Sequence, residues 1–174
     1  YINCNCDSFH ERSTGFCNEI KIEMNKKLGV SFISSYIPRQ CGIATFTNDL
    51  SSAFNSISNG HEMTSSVTAL NDVPEGYKYT KEVKFEIKDK SINDFKEAAY
   101  YLNLSDKDLI NLQHEFGLYG GEAGSHILYL LENLKKPVVT TFHTVLENPD
   151  EDQLKVIEEI SRYSSYLIVQ SDRS

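Results

Sequence analysis

What this sequence lacks removes several classes of function at the outset. No apolar run is long enough to cross a bilayer, and no signal-peptide pattern is present. The expectation is a cytoplasmic protein with no transmembrane segment, and with peripheral membrane contact left open. Basic residues are in deficit: 17 Lys and Arg stand against 25 Asp and Glu, for a net charge of −8. A nucleic-acid binder usually shows a basic face, so no nucleic-acid partner is expected. The deficit does not exclude phosphate ligands, for which a few local donors suffice. Cysteine is scarce where a fold could use it, because three of the four lie in the first 17 residues. A disulfide-built scaffold is not expected at this size. Cys4, Cys6, His10 and Cys17 lack the paired spacing on a tight turn that zinc sites need.

Familiar catalytic signatures are missing too. There is no G-x-G-x-x-G dinucleotide fingerprint, and the second apolar run ends Ala69-Leu70-Asn71 without a clear ribose-binding acid. His114-Glu115 opens like a zinc-protease motif, but position 118 is Leu where a second histidine is required. Gly124-Ser125-His126 is not a nucleophile elbow. Asp106-Lys107-Asp108 and Asp150-Glu151-Asp152 match a D-x-D metal pair in form. Both fall where elements begin and aspartates serve as caps, so no metal is expected. No internal repeat and no low-complexity segment occurs.

What is present is an ordinary globular balance. The chain has 174 residues, 40% hydrophobic and 24% charged, enough for one domain with a real core. Apolar runs rich in β-branched residues occur at 30–35, 63–70, 82–87, 108–113, 137–142 and 166–170. Helical periods lie between them, over 44–57, 92–104, 122–134 and 150–163. Strands alternating with helices predict an α/β fold with a doubly wound, Rossmann-like parallel sheet and right-handed crossovers. Residues 1–23 show neither period and precede Met24, which stands just before the first strand, so they are expected to be an unstructured extension of a domain at 24–174. The chain stops at Ser174, directly after a strand, and reads as cut in mid-architecture.

Two strand ends carry candidate chemistry. Asn111-Leu-Gln-His114-Glu-Phe-Gly117 is followed by Gly120, Gly121 and Gly124, and Val138-Val-Thr-Thr-Phe142 is followed at once by His143. In an open α/β sheet the ligand crevice lies beyond the carboxyl ends of the strands. Histidines and a glycine-rich turn at that edge suit a polar substrate bearing phosphate or hydroxyl groups. The turn after the first strand holds Arg39-Gln-Cys-Gly42, where Gly42 begins a helix. Its backbone N–H groups and the Arg39 fork suit an anionic oxygen. A plain strand-to-helix turn with a solvated arginine explains the same residues equally well.

The segments Ile37-Pro-Arg-Gln-Cys-Gly-Ile-Ala-Thr-Phe-Thr-Asn-Asp-Leu50, Asn111–Gly117, Gly120-Gly121 and Pro137-Val-Val-Thr-Thr-Phe-His-Thr-Val-Leu146 resemble the N-terminal half of family 4 retaining glycosyltransferases. The resemblance runs over about residues 28–174 in four ordered segments. It implies the GT-B fold, built from two Rossmann-like domains. The N-terminal domain of such enzymes mostly binds the acceptor, a carbohydrate or lipid-linked molecule. A C-terminal domain binds the nucleotide-sugar co-substrate, usually UDP- or GDP-linked, and transfer retains configuration without a metal or other cofactor. It further implies that His143 lies in the interdomain cleft near the transferred sugar, as the catalytic residue. Arg39, Gly42, His114, Glu115, Gly120 and Gly121 become substrate-binding positions. The donor-binding domain is not in this chain, so residues 1–174 alone are expected to be inactive. Two rivals predict other things: a Rossmann-type nucleotide-binding protein needs the missing glycine triplet, and a non-catalytic carbohydrate-binding module needs no second domain.

Overall fold

A computed structural model of the chain describes residues 27–57 and 62–170. The expectations for residues 1–23, including the cysteines at 4, 6 and 17, lie outside the described residues. Six strands, β1 (Leu28–Ser34), β2 (Met63–Asn71), β3 (Val83–Lys88), β4 (Leu109–His114), β5 (Val138–Phe142) and β6 (Tyr166–Val169), form one sheet in the order β3-β2-β1-β4-β5-β6. Every pairing is parallel. The order reverses between β1 and β4, which opens a crevice at their carboxyl ends.

Four helices connect the strands: α1 (Gly42–Ser56), α2 (Ile92–Leu104), α3 (Ile127–Leu131) and α4 (Glu151–Tyr163). Their ends follow from local chemistry. Ser91 caps α2 by accepting from the Asp94 amide, and Asp150 caps α4 in a reciprocal box with Gln153. Asp150 is therefore a cap, as its position predicts. Asp108 is tied instead to the start of β1, where it accepts from the Gly29 amide at 2.9 Å.

The sheet is covered unequally. Helices α2, α3 and α4 pack together over one face, around Ile33, Leu70, Phe95, Ile110, Leu112 and Ile160. Among the described residues, only α1 lies on the other face, over Val30, Phe32, Val67 and Ala69. It touches the sheet through small residues, Ala44, Thr47 and Ser51, and Thr47 Oγ1 lies 2.7 Å from Ser34 Oγ. Its bulky stripe, Phe46, Leu50 and Phe54, borders an apolar groove of about 590 Å³ that continues over Phe32, Leu109 and Ile168. Edge strand β6 is exposed along its length.

One helical expectation is corrected. The period over 122–134 does not become one helix: a short 3-10 turn at Glu122–Gly124 precedes α3. Ala123 (φ 50°) and Gly124 (φ 79°) are left-handed, which interrupts the α-helical hydrogen-bond ladder before Ile127. Ile127, Leu130 and Leu131 of α3 are nevertheless buried against the core.

Candidate functional site

Side chains on a strand alternate between faces, and this sorts the two strand-end histidines. Along β4, Ile110, Leu112 and His114 face the α2–α4 side, and Asn111 and Gln113 face the α1 side. On β5, Val138 and Phe142 face the α2–α4 side, which puts Thr141 and then His143 on the α1 side. His114 and His143 are joined through the backbone, His143 N–H donating to the His114 carbonyl at 3.0 Å, but their rings do not converge on one ligand position.

His114 is fully enclosed. Its ring stacks on Tyr119 (5.9 Å between centroids, 8° between planes) and meets the edges of Phe116 and Phe142. Among the described residues, neither ring nitrogen has a hydrogen-bond partner. Burial, reinforced by the neighbouring His143, pulls its pKa down from 6.5 to about 4, so the ring is neutral near pH 7. Tyr119 is also buried; its hydroxyl donates to the Gln113 carbonyl at 2.6 Å, and burial raises its pKa.

The depressed pKa has a consequence for stability. Between about pH 6.5 and pH 4 the unfolded chain binds a proton at this site that the folded chain refuses. The associated stabilisation is fully present above about pH 6.5 and is lost as the pH falls toward 4, a span worth roughly 3 kcal/mol. His114→Phe keeps an aromatic ring in the box and removes the titration. Against wild type, this variant should gain about 2 kcal/mol on going from neutral pH to pH 5 in denaturant unfolding. Parallel stability profiles for the two proteins would show that His114 does not titrate as its burial requires.

His143 is half-buried and polar in its surroundings. Its Nε2 lies 2.8 Å from Gln113 Oε1, its Nδ1 lies 3.2 Å from Gln170 Nε2, and the ring stands edge-on to Phe46. Burial lowers its pKa, with Glu115 pulling the other way, and the ring is held neutral. Gln113, itself buried, also donates from Nε2 to Asn111 Oδ1 and, at 3.4 Å, to Thr141 Oγ1. A central parallel strand is ordinarily apolar on both faces. Asn111 and Gln113 at alternate positions of β4 were the sequence signal for this network, and sequence reasoning passed over them along with Thr141, Thr144 and Gln170.

Glu115 connects His143's strand end to the first turn. One carboxylate oxygen accepts from Thr144 Oγ1 at 2.6 Å, the other from the Phe116 amide. Glu115, Gly117 and Leu118 line a cavity of about 230 Å³ with Arg39, Cys41 and Ile43. The turn after β1 and the turn after β4 therefore share one space. Arg39 is partly buried and paired: its Nη2 lies 3.1 Å from Asp72, and its Nη1 is buried with no partner among the described residues. Asp72 directly follows β2, so an acid does stand at that strand end, engaged by Arg39 and by the Tyr77 hydroxyl at 2.8 Å. Cys41 caps α1, its sulfur accepting from the Ala44 amide at 3.4 Å.

The glycines fall into two groups. Gly42, the first residue of α1, is exposed, and a Cβ there would meet no atom within 4 Å. Nothing in the chain itself requires a glycine at that point. Gly120 (φ 66°) and Gly121 (φ 71°) are left-handed and crowded. A Cβ on Gly120 would stand 2.0 Å from the Asp89 carbonyl oxygen, and one on Gly121 would stand 2.6 Å from Ser125 Oγ. His126 fastens the same turn, its Nδ1–H donating to the Asp89 carbonyl at 2.9 Å. Internal packing against Asp89, Ser125 and His126 thus accounts for Gly120 and Gly121.

Among the described residues, no three His, Cys, Asp or Glu side chains gather in a metal-holding group, and no helix is long and apolar enough to cross a membrane. No family model matches the chain, and no curated protein matches it. Among solved structures, it is similar to S. aureus homoserine dehydrogenase at pH 6.0, with a TM-score of 0.42 and 14% identity, over 83% of this chain and 33% of that one. The chain spans about a third of that enzyme's length, and a likeness at this level says nothing about ligand or reaction. Strand order, parallel pairing and crevice position together make the described chain a Rossmann-like parallel α/β domain.

Proposed function

We propose that residues 24–174 are the acceptor-side half of a retaining sugar transferase, working with a nucleotide-sugar-binding domain outside this chain. The observation that carries the reading is the shared cavity at the carboxyl edge. Arg39, Cys41 and Ile43 from the first turn line it with Glu115 and Gly117 from the turn after β4. His143 and Thr144 adjoin it through the Thr144–Glu115 hydrogen bond. Two of the segments that resemble the glycosyltransferase family thus line one space, and a third is hydrogen-bonded to its wall.

The chemistry follows from that arrangement. A departing nucleoside diphosphate needs preorganised positive charge aimed at its phosphates. The α1 N-terminus and the unpartnered Nη1 of Arg39 offer part of it. Glu115 and His143 take acceptor or sugar hydroxyls. His114 acts from beneath, by filling the floor between β4 and β5. Closure of a second domain over this edge would exclude water and align the acceptor hydroxyl with the anomeric carbon.

Radiolabelled UDP- and GDP-sugars, offered with simple sugar acceptors, test the reading. The protein that also carries the donor domain should transfer sugar with retention, and residues 1–174 alone should give no product above background. Clear transfer by the chain alone would overturn the two-domain assignment. Gly42→Val sharpens the test. Open space surrounds that position, so its unfolding midpoint should stay close to wild type, within about 1 kcal/mol. Turnover by the two-domain protein should nevertheless drop at least about tenfold, because the side chain occupies the path of a bound anion. Unaltered kinetics would return Arg39–Gly42 to the status of a plain strand-to-helix turn.

A further inference from the structure

The buried amide row on β4 has no packing rationale of its own. Asn111 and Gln113 sit on the α1 side of a central strand, where Phe32 of β1 stands opposite Asn111. Polar groups buried there are costly unless each is satisfied. Gln113 is satisfied in one polarity. Its Nε2 donates toward Asn111 Oδ1 and Thr141 Oγ1, which leaves Oε1 directed at His143 Nε2, 2.8 Å away. An amide oxygen only accepts, so the imidazole nitrogen facing it must carry the proton. The other ring nitrogen, Nδ1, then has a lone pair, and it accepts from the amide of Gln170, an exposed side chain.

We propose that Gln113 is a positioning residue that holds His143 as the neutral Nε2–H tautomer and leaves Nδ1 as an acceptor for a ligand hydroxyl, which displaces the Gln170 amide. This deepens the sugar-transferase reading and rests on it for the identity of the hydroxyl. It also narrows what His143 can bind. A lone pair at Nδ1 attracts O–H donors and repels phosphate oxygens, so His143 serves a sugar or acceptor hydroxyl and the diphosphate is left to the α1 end of the site. Asn111 and Thr141 act one step further back, by fixing which way the Gln113 amide points. The titratable neighbours of His143 are Glu115 and His114, and neither takes over the Gln113 contact.

Imidazole ¹⁵N–¹H correlation spectra of the labelled full chain at neutral pH test this without substrate, with His143 assigned by its disappearance in His143→Asn. Wild type should show a protonated Nε2 and an unprotonated Nδ1 at His143. Gln113→Glu places a carboxylate against the same proton. It should keep the tautomer and raise the His143 titration midpoint by about one unit or more, a tenfold rise in proton affinity. Gln113→Met keeps the volume apolar, and there the ring should exchange between both tautomers. A wild-type His143 protonated at Nδ1, or a midpoint unmoved in Gln113→Glu, would overturn the proposal. If the tautomer stands while the two-domain protein transfers no sugar, the functional reading has failed and the positioning role of Gln113 has not.

Discussion

His143→Ala, in a protein carrying both domains, is expected to lower kcat/KM by roughly a hundredfold or more. The ring sits at the carboxyl end of β5, half-buried, neutral, and held between Gln113 and Gln170. One polar group positioned at a reacting centre contributes on that scale because its orientation is set before the reaction begins. Folding should suffer little by comparison. The lost contacts are the Phe46 edge, the exposed hydrogen bond from Gln170 and the hydrogen bond to Gln113, whose buried Oε1 loses its partner at a cost of about 1–2 kcal/mol. Steady-state kinetics beside a denaturant melt separates the two effects. Should the variant unfold, or keep full activity, His143 is structural, and Glu115 becomes the first residue to test in its place.

Gly120→Ala should give the largest loss of stability, roughly 3–4 kcal/mol. Two penalties combine. An L-residue at φ 66° is strained. The added methyl would also lie 2.0 Å from the Asp89 carbonyl oxygen, a backbone atom that cannot swing aside like a side chain. Either the turn after β4 or the loop after β3 must move, and the His126–Asp89 hydrogen bond goes with it. Gly42→Ala is the matched control, expected within about 0.5 kcal/mol of wild type, since open space surrounds that position. Urea unfolding of the pair decides it. A loss below about 1 kcal/mol for Gly120→Ala would mean that the turn yields and its close approach to Asp89 is not a constraint.

That contrast shows where sequence reasoning stops. As letters, Gly42, Gly120 and Gly121 look alike: each follows a strand near a polar motif. One stands free at a helix start, and the other two are wedged against a neighbouring loop. Only a contact between residues 31 positions apart, Gly120 and Asp89, makes the difference, and a linear sequence does not carry it. The histidines behave likewise. Period-two alternation puts Gln113 and His114 on opposite faces, yet whether a face is an aromatic box or a polar network depends on Tyr119, Phe142, Thr141 and Gln170, which arrive from elsewhere in the chain.

What the sequence determined by itself was local and periodic. Apolar β-branched runs specified six strands, and helical spacing specified α2 and, with aspartates at its start, α4 almost to the residue. Alternation of the two pointed to a parallel sheet, because a strand, a helix and a second parallel strand join by a crossover, although β2 and β3 pair in parallel with no helix between them. Those signals act over a few residues and survive in a linear reading. The tertiary structure decided the rest: which face each strand-end side chain took, the tie between Arg39 and Asp72, the break at Ala123–Gly124 in a run of helical period, and the amide row beneath His143. Each depends on which strand lies beside which, and hydrogen-bond satisfaction in a buried site is settled by those neighbours, not by the order of residues along the chain.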